Sequence, residues 1–231
     1  MDKRLKLISN YMLAVEGNDE CNFFQALLKH LNIESIQWHQ YLKAQEKHPD
    51  FFLAPNIVQL IDIGGKDKFK KEFELLAITD GFSNIEKLGL VRDAEDRQAM
   101  EAFQSICTVL RNNNLPVPDS MNSITIDNSL KLGVFIMPDN QGTGMLENLC
   151  LSTLNGQPIE RCIDEFVTCS SQLMLPEESK KFNEPKARVL AYLSTRVPIV
   201  NSLGLGAQRG SWDFSHSNFN EIKSYLDKLF N

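Results

Sequence analysis

Short, nearly continuous apolar runs alternate with stretches of helical periodicity along the first 140 or so positions of the chain. Tyr11-Met-Leu-Ala-Val15, broken by Glu16-Gly17, reads as a buried strand followed by a turn. Phe23, Phe24, Leu27, Leu28 and Leu31 then recur at helical spacing, with Asn18 or Asp19 placed to cap that helix. Ile57 to Ile63 makes a second strand, stopped by Gly64-Gly65, and residues 66–76 a basic-faced helix. Leu88-Gly-Leu-Val91 is a third run, ending in Arg92-Asp93-Ala94-Glu95-Asp96; Met100, Phe103, Ile106, Cys107 and Leu110 mark the helix behind it. Ser123 to Leu132 predicts a short hairpin arm, and Gly133 to Met137 a fourth buried run. Beyond Gly144 the pattern turns helical, over residues 146–154, 159–174, 185–195 and 219–230.

Strands that alternate with helices, each strand apolar on both sides, predict an α/β fold: a Rossmann-like, mostly parallel sheet flanked by helices. Residues 1–231 read as a single domain, with a core over about 9–150 and a helical C-terminal extension over about 151–231.

Composition narrows the classes. With 42% apolar and 23% charged residues the chain is an ordinary globular one, and 231 residues bury a core without disulfide or structural metal. Cys21, Cys107, Cys150, Cys162 and Cys169 contain no CxxC pair; most sit in apolar helical patterns and read as reduced, buried thiols. His30, His39, His48 and His216 are scattered, which argues against zinc. No run suits a membrane span and the start has no apolar signal core, so no membrane partner and a cytoplasmic location are expected. The net charge of −6 excludes a broad basic coat for nucleic acid, but not a local basic rim around an acidic centre. Lys66, Lys68, Lys70 and Lys71 form one basic cluster; Lys180, Lys181, Lys186 and Arg188 form another.

The informative fact is where the carboxylates fall. Glu16 follows the first strand, Asp93 and Glu95 the third, and Asp139 the fourth. In an open parallel sheet those strand ends share one edge, where ligands bind. An extended backbone would aim Asp93 and Glu95 the same way, with Asp96 elsewhere or capping the helix. Converging carboxylates repel one another unless a cation joins them, and hard oxygen donors suit Mg²⁺ or Mn²⁺. The same acids can equally serve as inert helix N-caps.

Val15-Glu16-Gly17-Asn18-Asp19, Ile63-Gly64-Gly65-Lys66 and Leu90-Val91-Arg92-Asp93-Ala94-Glu95 together resemble a TOPRIM domain, the metal-binding fold of topoisomerases, primases and OLD-type nucleases. Met137-Pro138-Asp139-Asn140, Gly144-Met145-Leu146-Glu147 and Pro185-Lys186-Ala187 are similar to a TOPRIM-like family known as a domain of unknown function, over roughly residues 9 to 230. The resemblance implies that Glu16 is a metal ligand or general acid/base, and that Asp93 holds a metal. Glu95 stands where a second aspartate is usual; its extra methylene shifts the ligand or leaves it a water-mediated role. Glu147 would serve a second metal, and Lys186 would offset charge on a scissile phosphate. Asp19 and Asp139 would stand behind the ligands, and Lys66 would meet the phosphate backbone.

Two functions follow from it. One is Mg²⁺- or Mn²⁺-dependent phosphodiester hydrolysis on DNA or RNA, in defence or repair. The other is a non-catalytic metal- or nucleotide-binding module, favoured by Glu95, the acidic balance and the absence of the ATPase usually fused to OLD-type enzymes. A rim of Lys66, Lys68, Lys186 and Arg188 converging on the acids would favour cleavage, and scattered lysines the non-catalytic module. Homodimers are the commonest assembly for such a domain.

Other motifs read as structure. Gly64-Gly65-Lys66 lacks P-loop spacing and reads as a tight turn. Gly204-x-Gly206 reads as a loop, Trp212 as a loop anchor and Phe23/Phe24 as core. Asp213, Ser215 and His216 sit too close in sequence for a catalytic triad, and there is no GxSxG elbow. The chain lacks the DxDx[TV] of a phosphoaspartyl phosphatase after its first strand, is long for a phosphorelay receiver, and has no strand-passing tyrosine domain of a topoisomerase.

Overall fold

A computed structural model describes residues 7–37, 56–65, 67–121 and 123–231. The apolar runs become strands β1 (Tyr11–Val15), β2 (Ser35–Gln37), β3 (Val58–Asp62), β4 (Lys87–Asp93), β5 (Ile124–Asp127) and β6 (Leu130–Met137). They form one sheet in the order β2-β3-β1-β4-β6-β5. Every neighbouring pair is parallel except β5 with β6. The periodic stretches become helices α1 (Asn18–His30), α2 (Phe69–Ala77), α3 (Ala99–Asn112), α4 (Leu146–Ser152), α5 (Pro158–Ser171), α6 (Pro176–Ser179), α7 (Glu184–Ser194), α8 (Leu203–Gln208) and α9 (Asn220–Phe230). The chain is thus α/β, with a mostly parallel sheet covered on both faces and helices at its C-terminal end.

Alternation along each strand divides the core in two. Leu13, Val15, Leu60, Val91 and Phe135 bury against α1 and the C-terminal helices. Met12, Ala14, Ile61, Leu90 and Val134 bury against Phe69 and Phe73 of α2 and Phe103, Ile106 and Leu110 of α3. Filling both faces is what a nearly continuous apolar strand requires. The C-terminal helices belong to the first of these cores: Ile163, Val189, Leu203, Phe219 and Leu226 share one buried cluster with β1 and α1. Gly89 and Gly133 lie side by side in the β4–β6 register. A Cβ on Gly89 would stand 2.8 Å from Leu229, and one on Gly133 2.8 Å from the Tyr225 ring. The bare backbone lets α9 lie close to the sheet, and the Tyr225 hydroxyl donates to the Gly133 carbonyl at 3.0 Å.

Several local expectations need correction. The hairpin arm and the fourth buried run are not separate: β6 runs unbroken from Leu130 to Met137, and its first residues pair with β5. The second helix starts at Phe69, because residues 67–68 form the turn that leaves β3. β2 was not foreseen, since three residues with one apolar side chain carry no period; pairing with β3 alone defines it. Gly204-x-Gly206 lies in helix α8, not in a loop. A Cβ on Gly204 would fall 2.1 Å from the Asp19 carbonyl oxygen, so glycine there permits the contact of α8 with α1. Trp212 and the Phe23/Phe24 pair are buried as expected, the indole N–H donating to the Leu203 carbonyl. All five cysteines are free; Cys21, Cys107 and Cys150 are buried, while Cys162 and Cys169 are exposed on α5. Among the described residues no helix is long and apolar enough to cross a membrane.

Candidate functional site

β1 and β4 are neighbours, yet the helices that follow them leave on opposite faces: α1 joins one core and α3 the other. That divergence opens a crevice beyond the carboxyl ends of the two strands, the switch point at which parallel sheets bind ligands. The register that sets Ala14 beside Leu90 carries Glu16 beside Arg92, two positions further on. Glu16 Oε1 accepts from Arg92 Nε and from the Asp93 backbone N–H, both at 3.2 Å. The Arg92 guanidinium is buried with its face 4.5 Å from the Phe69 ring centroid. Asp93 points to the other side of the sheet and accepts the Leu146 N–H at 3.1 Å, at the start of α4.

Electrostatics ties four carboxylates into one group. Burial raises Asp93 well above the usual carboxylate range, and the charges of Glu16, Glu147 and Glu20 raise it further. Burial pushes Glu20 up to about 7, with Glu147, Asp19 and Glu16 adding repulsion. Glu147 and Glu16 are also raised, chiefly by burial; Lys186 opposes the shift of the first, and Arg92 that of the second. Glu16, Glu20, Arg92, Asp93 and Leu146 help enclose a cavity of about 10 Å³, the threshold for one water molecule. Among the described residues no three His, Cys, Asp or Glu side chains stand at metal-ligating spacing. The donors are hard oxygens, but Oε1 of Glu16 and Oδ1 of Asp93 already accept N–H groups. A larger recess of about 1090 Å³ lies by the C-terminal half of α1 and β2, lined by residues such as Lys29, His30 and Phe214, and includes none of these acids.

The other residues singled out in the sequence fall in different places. Glu95 does not continue the strand: its φ is +57° and its backbone pairs with Gly144 in an isolated bridge, so it is not aimed with Asp93 by an extended chain. Its charge still acts on Glu16. Asp19 is not a helix cap. The helix starts one residue earlier with Gly17 at the cap position, and Asp19 Oδ1 accepts the Gly204 N–H at 3.0 Å. Asp96 is exposed, and Gln98 holds the cap position of α3. Asp139 Oδ1 accepts N–H groups of Gln141 and Gly142 in its own turn, and its charge acts on Glu221. Lys186 Nζ stands 4.0 Å from Glu147 Oε1. Arg188 instead pairs with Asp164 and Glu184, and Lys68 is exposed at the start of α2. Lys66 lies outside the described residues, as do His39 and His48. Asp213 takes both the Ser215 N–H and hydroxyl, while His216 Nδ1 accepts the Asn218 N–H, so these residues build a turn.

Two further residues of the site are Glu20 and Arg92. Glu20 stands in the first turn of α1, where an acid close behind Glu16-Gly17 could have flagged it. A Cβ on Gly17 would sit 2.7 Å from Glu20 Oε2, so a side chain there would push the Glu20 carboxyl aside. Arg92 was legible as a charge closing an apolar strand, but its partner was not.

No curated protein matches the chain. Among solved structures it is similar to the C-terminal region of the Xanthomonas campestris pv. campestris OLD protein, with 14% identity and a TM-score of 0.40, over 97% of this chain and 98% of that one. The family model described as "Protein of unknown function (DUF3226)" matches residues 10–231, and the chain belongs to that family.

Proposed function

We propose that the chain is a TOPRIM-like phosphodiesterase that hydrolyses DNA or RNA with Mg²⁺ or Mn²⁺. The observation that carries this reading is the gathering of Glu16, Glu20, Asp93 and Glu147 at the β1/β4 switch point, all pushed up by burial, and Glu20, Asp93 and Glu147 also by the charge of Glu16. Such a group holds a full set of negative charges only when a cation joins it. Glu16, Asp93 and Glu147 would hold the metal, with Glu20 beside them and Glu95 within reach of Glu16's charge. When bound, a divalent ion supplies Lewis acidity toward a phosphoryl oxygen and an acidified water. Among the described residues no three acids stand ready as a cage, so substrate phosphate and water would have to complete the shell of a Mg²⁺ ion here.

The chain's own groups have separable roles in this reading. Arg92 and the Asp93 N–H hold Glu16 in one orientation, and the Leu146 N–H holds Asp93. Glu20, at about 7, can exchange a proton near neutrality. Lys186, largely exposed beside Glu147, can turn to a phosphate oxygen. The test is Mn²⁺ calorimetry on wild type and Asp93→Asn, with and without an oligonucleotide, followed by cleavage assays on DNA and RNA. Metal binding that Asp93→Asn abolishes is the expected result. Failure of the wild type to bind metal even with oligonucleotide would sink the reading.

A second reading, a module that binds metal or nucleotide without cutting, is favoured by two features: Glu95 leaves the strand direction at φ +57°, away from the paired arrangement that two neighbouring acids would need, and Arg188 pairs with Asp164 and Glu184 instead of joining a basic rim. Metal binding without cleavage of any strand would decide for it.

A further inference from the structure

A second cavity, about 230 Å³ in volume, adjoins the acid site on the α2/α3 side of the sheet. Arg92, Asp93, Arg97 and Ser105 help line it, with Asp67 on the α2 side. Arg92 and Asp93 line the small acid cavity as well, so the two spaces share a wall. Two guanidinium groups and a hydroxyl supply hydrogen-bond donors, the equipment that recognises phosphate oxygens. Asp67 and Arg97 are both exposed, so water screens these two charges alike, whereas Arg92 is buried. Asp93 already accepts the Leu146 N–H. The space is smaller than the roughly 300 Å³ at which pockets begin to enclose whole ligands. Among the described residues no aromatic side chain lines it to stack a base.

We infer that this cavity is a phosphate subsite, which takes the phosphate next along a nucleic-acid strand from the one presented to Glu16 and Asp93. Its place on a strand rests on the phosphodiesterase reading; its affinity for phosphate does not. Because Arg92 faces both spaces, an anion in the subsite and the Glu16 carboxylate draw on one guanidinium, which links occupancy of the two. Contacts of this kind position a strand without reading its sequence.

The experiment is calorimetric titration of inorganic phosphate into the full chain in EDTA, for wild type, Arg97→Gln, Asp93→Asn and the control Arg111→Gln at the far end of α3. Phosphate is expected to bind the wild type and Arg111→Gln alike, more weakly as salt rises. Loss of one charge-assisted contact in Arg97→Gln should weaken it about ten-fold. Asp93→Asn should bind phosphate at least as well as wild type, because the substitution removes neither guanidinium from the wall. Absence of binding in the wild type, or equal binding by Arg97→Gln, overturns the subsite. If phosphate binds through Arg97 while Mn²⁺ does not bind at all, the phosphodiesterase reading falls and the anion site stands.

Discussion

Glu20 and Arg92 are where single residues decide most. The Glu20 carboxyl rises from its ordinary value of 4.5 to about 7 in the folded chain, mainly through burial. Between those values the folded state holds more protons than the unfolded one, so stability is full below about 4.5 and falls as pH rises toward 7. Thermal unfolding in EDTA across that range should therefore show wild type losing stability, and Glu20→Gln losing less; parallel curves would refute the assignment. Arg92 is the counter-charge that opposes the upward shift burial gives Glu16. Arg92→Met should destabilise the metal-free chain by about 3 kcal/mol, because it strands a buried carboxylate. Adding Glu16→Gln should restore much of that loss, and denaturant melts of the two variants would reveal a purely packing role if it does not. Asp93 and Glu16 could be picked out of the sequence because each follows an apolar run. The pairing of Glu16 with Arg92 could not, since it depends on which strands are neighbours.

At the scale of elements, tight contacts depend on side chains that are missing. Gly204 meets the backbone of α1, where a methyl group would be 2.1 Å from a carbonyl oxygen that cannot simply rotate away. Gly204→Ala should therefore destabilise by about 1–3 kcal/mol or more, as overpacking does, and would also strain the Asp19–Gly204 hydrogen bond. A chemical melt in which this variant matches wild type would show that α8 can shift without loss. The same element shows a limit of sequence patterns. Leu203, Gly204, Gly206 and Ala207 are the buried positions of α8, and a helix that buries glycines looks like a loop until its neighbour is known. The longer helices were legible because Phe23, Leu27 and Leu28, or Phe103, Ile106 and Leu110, repeat one helical face. β2 and the bend at Glu95 had no such repeat. Each is set by pairing with another segment, β3 in one case and Gly144 in the other.

Across the whole molecule, the C-terminal helices complete the core that β1 and α1 begin. Deleting residues 203–231 would uncover Phe23, Leu13 and their neighbours, so the truncated chain should lose cooperative unfolding and bind hydrophobic dye. A truncated chain that still melts cooperatively would mean these helices only lean on a finished fold. The sequence by itself determined the fold class and the chemistry available at one sheet edge. Apolar runs that bury both faces require covering helices, and acids that follow those runs must gather where parallel strands end. Tertiary structure alone decided which acids act together. Glu20 joins the group because α1 leaves on the same face as Asp93, whereas Asp139 is held in its own turn near Glu221. Burial and repulsion depend on distance in space, and distance in space follows from strand order and helix side, which no local pattern encodes.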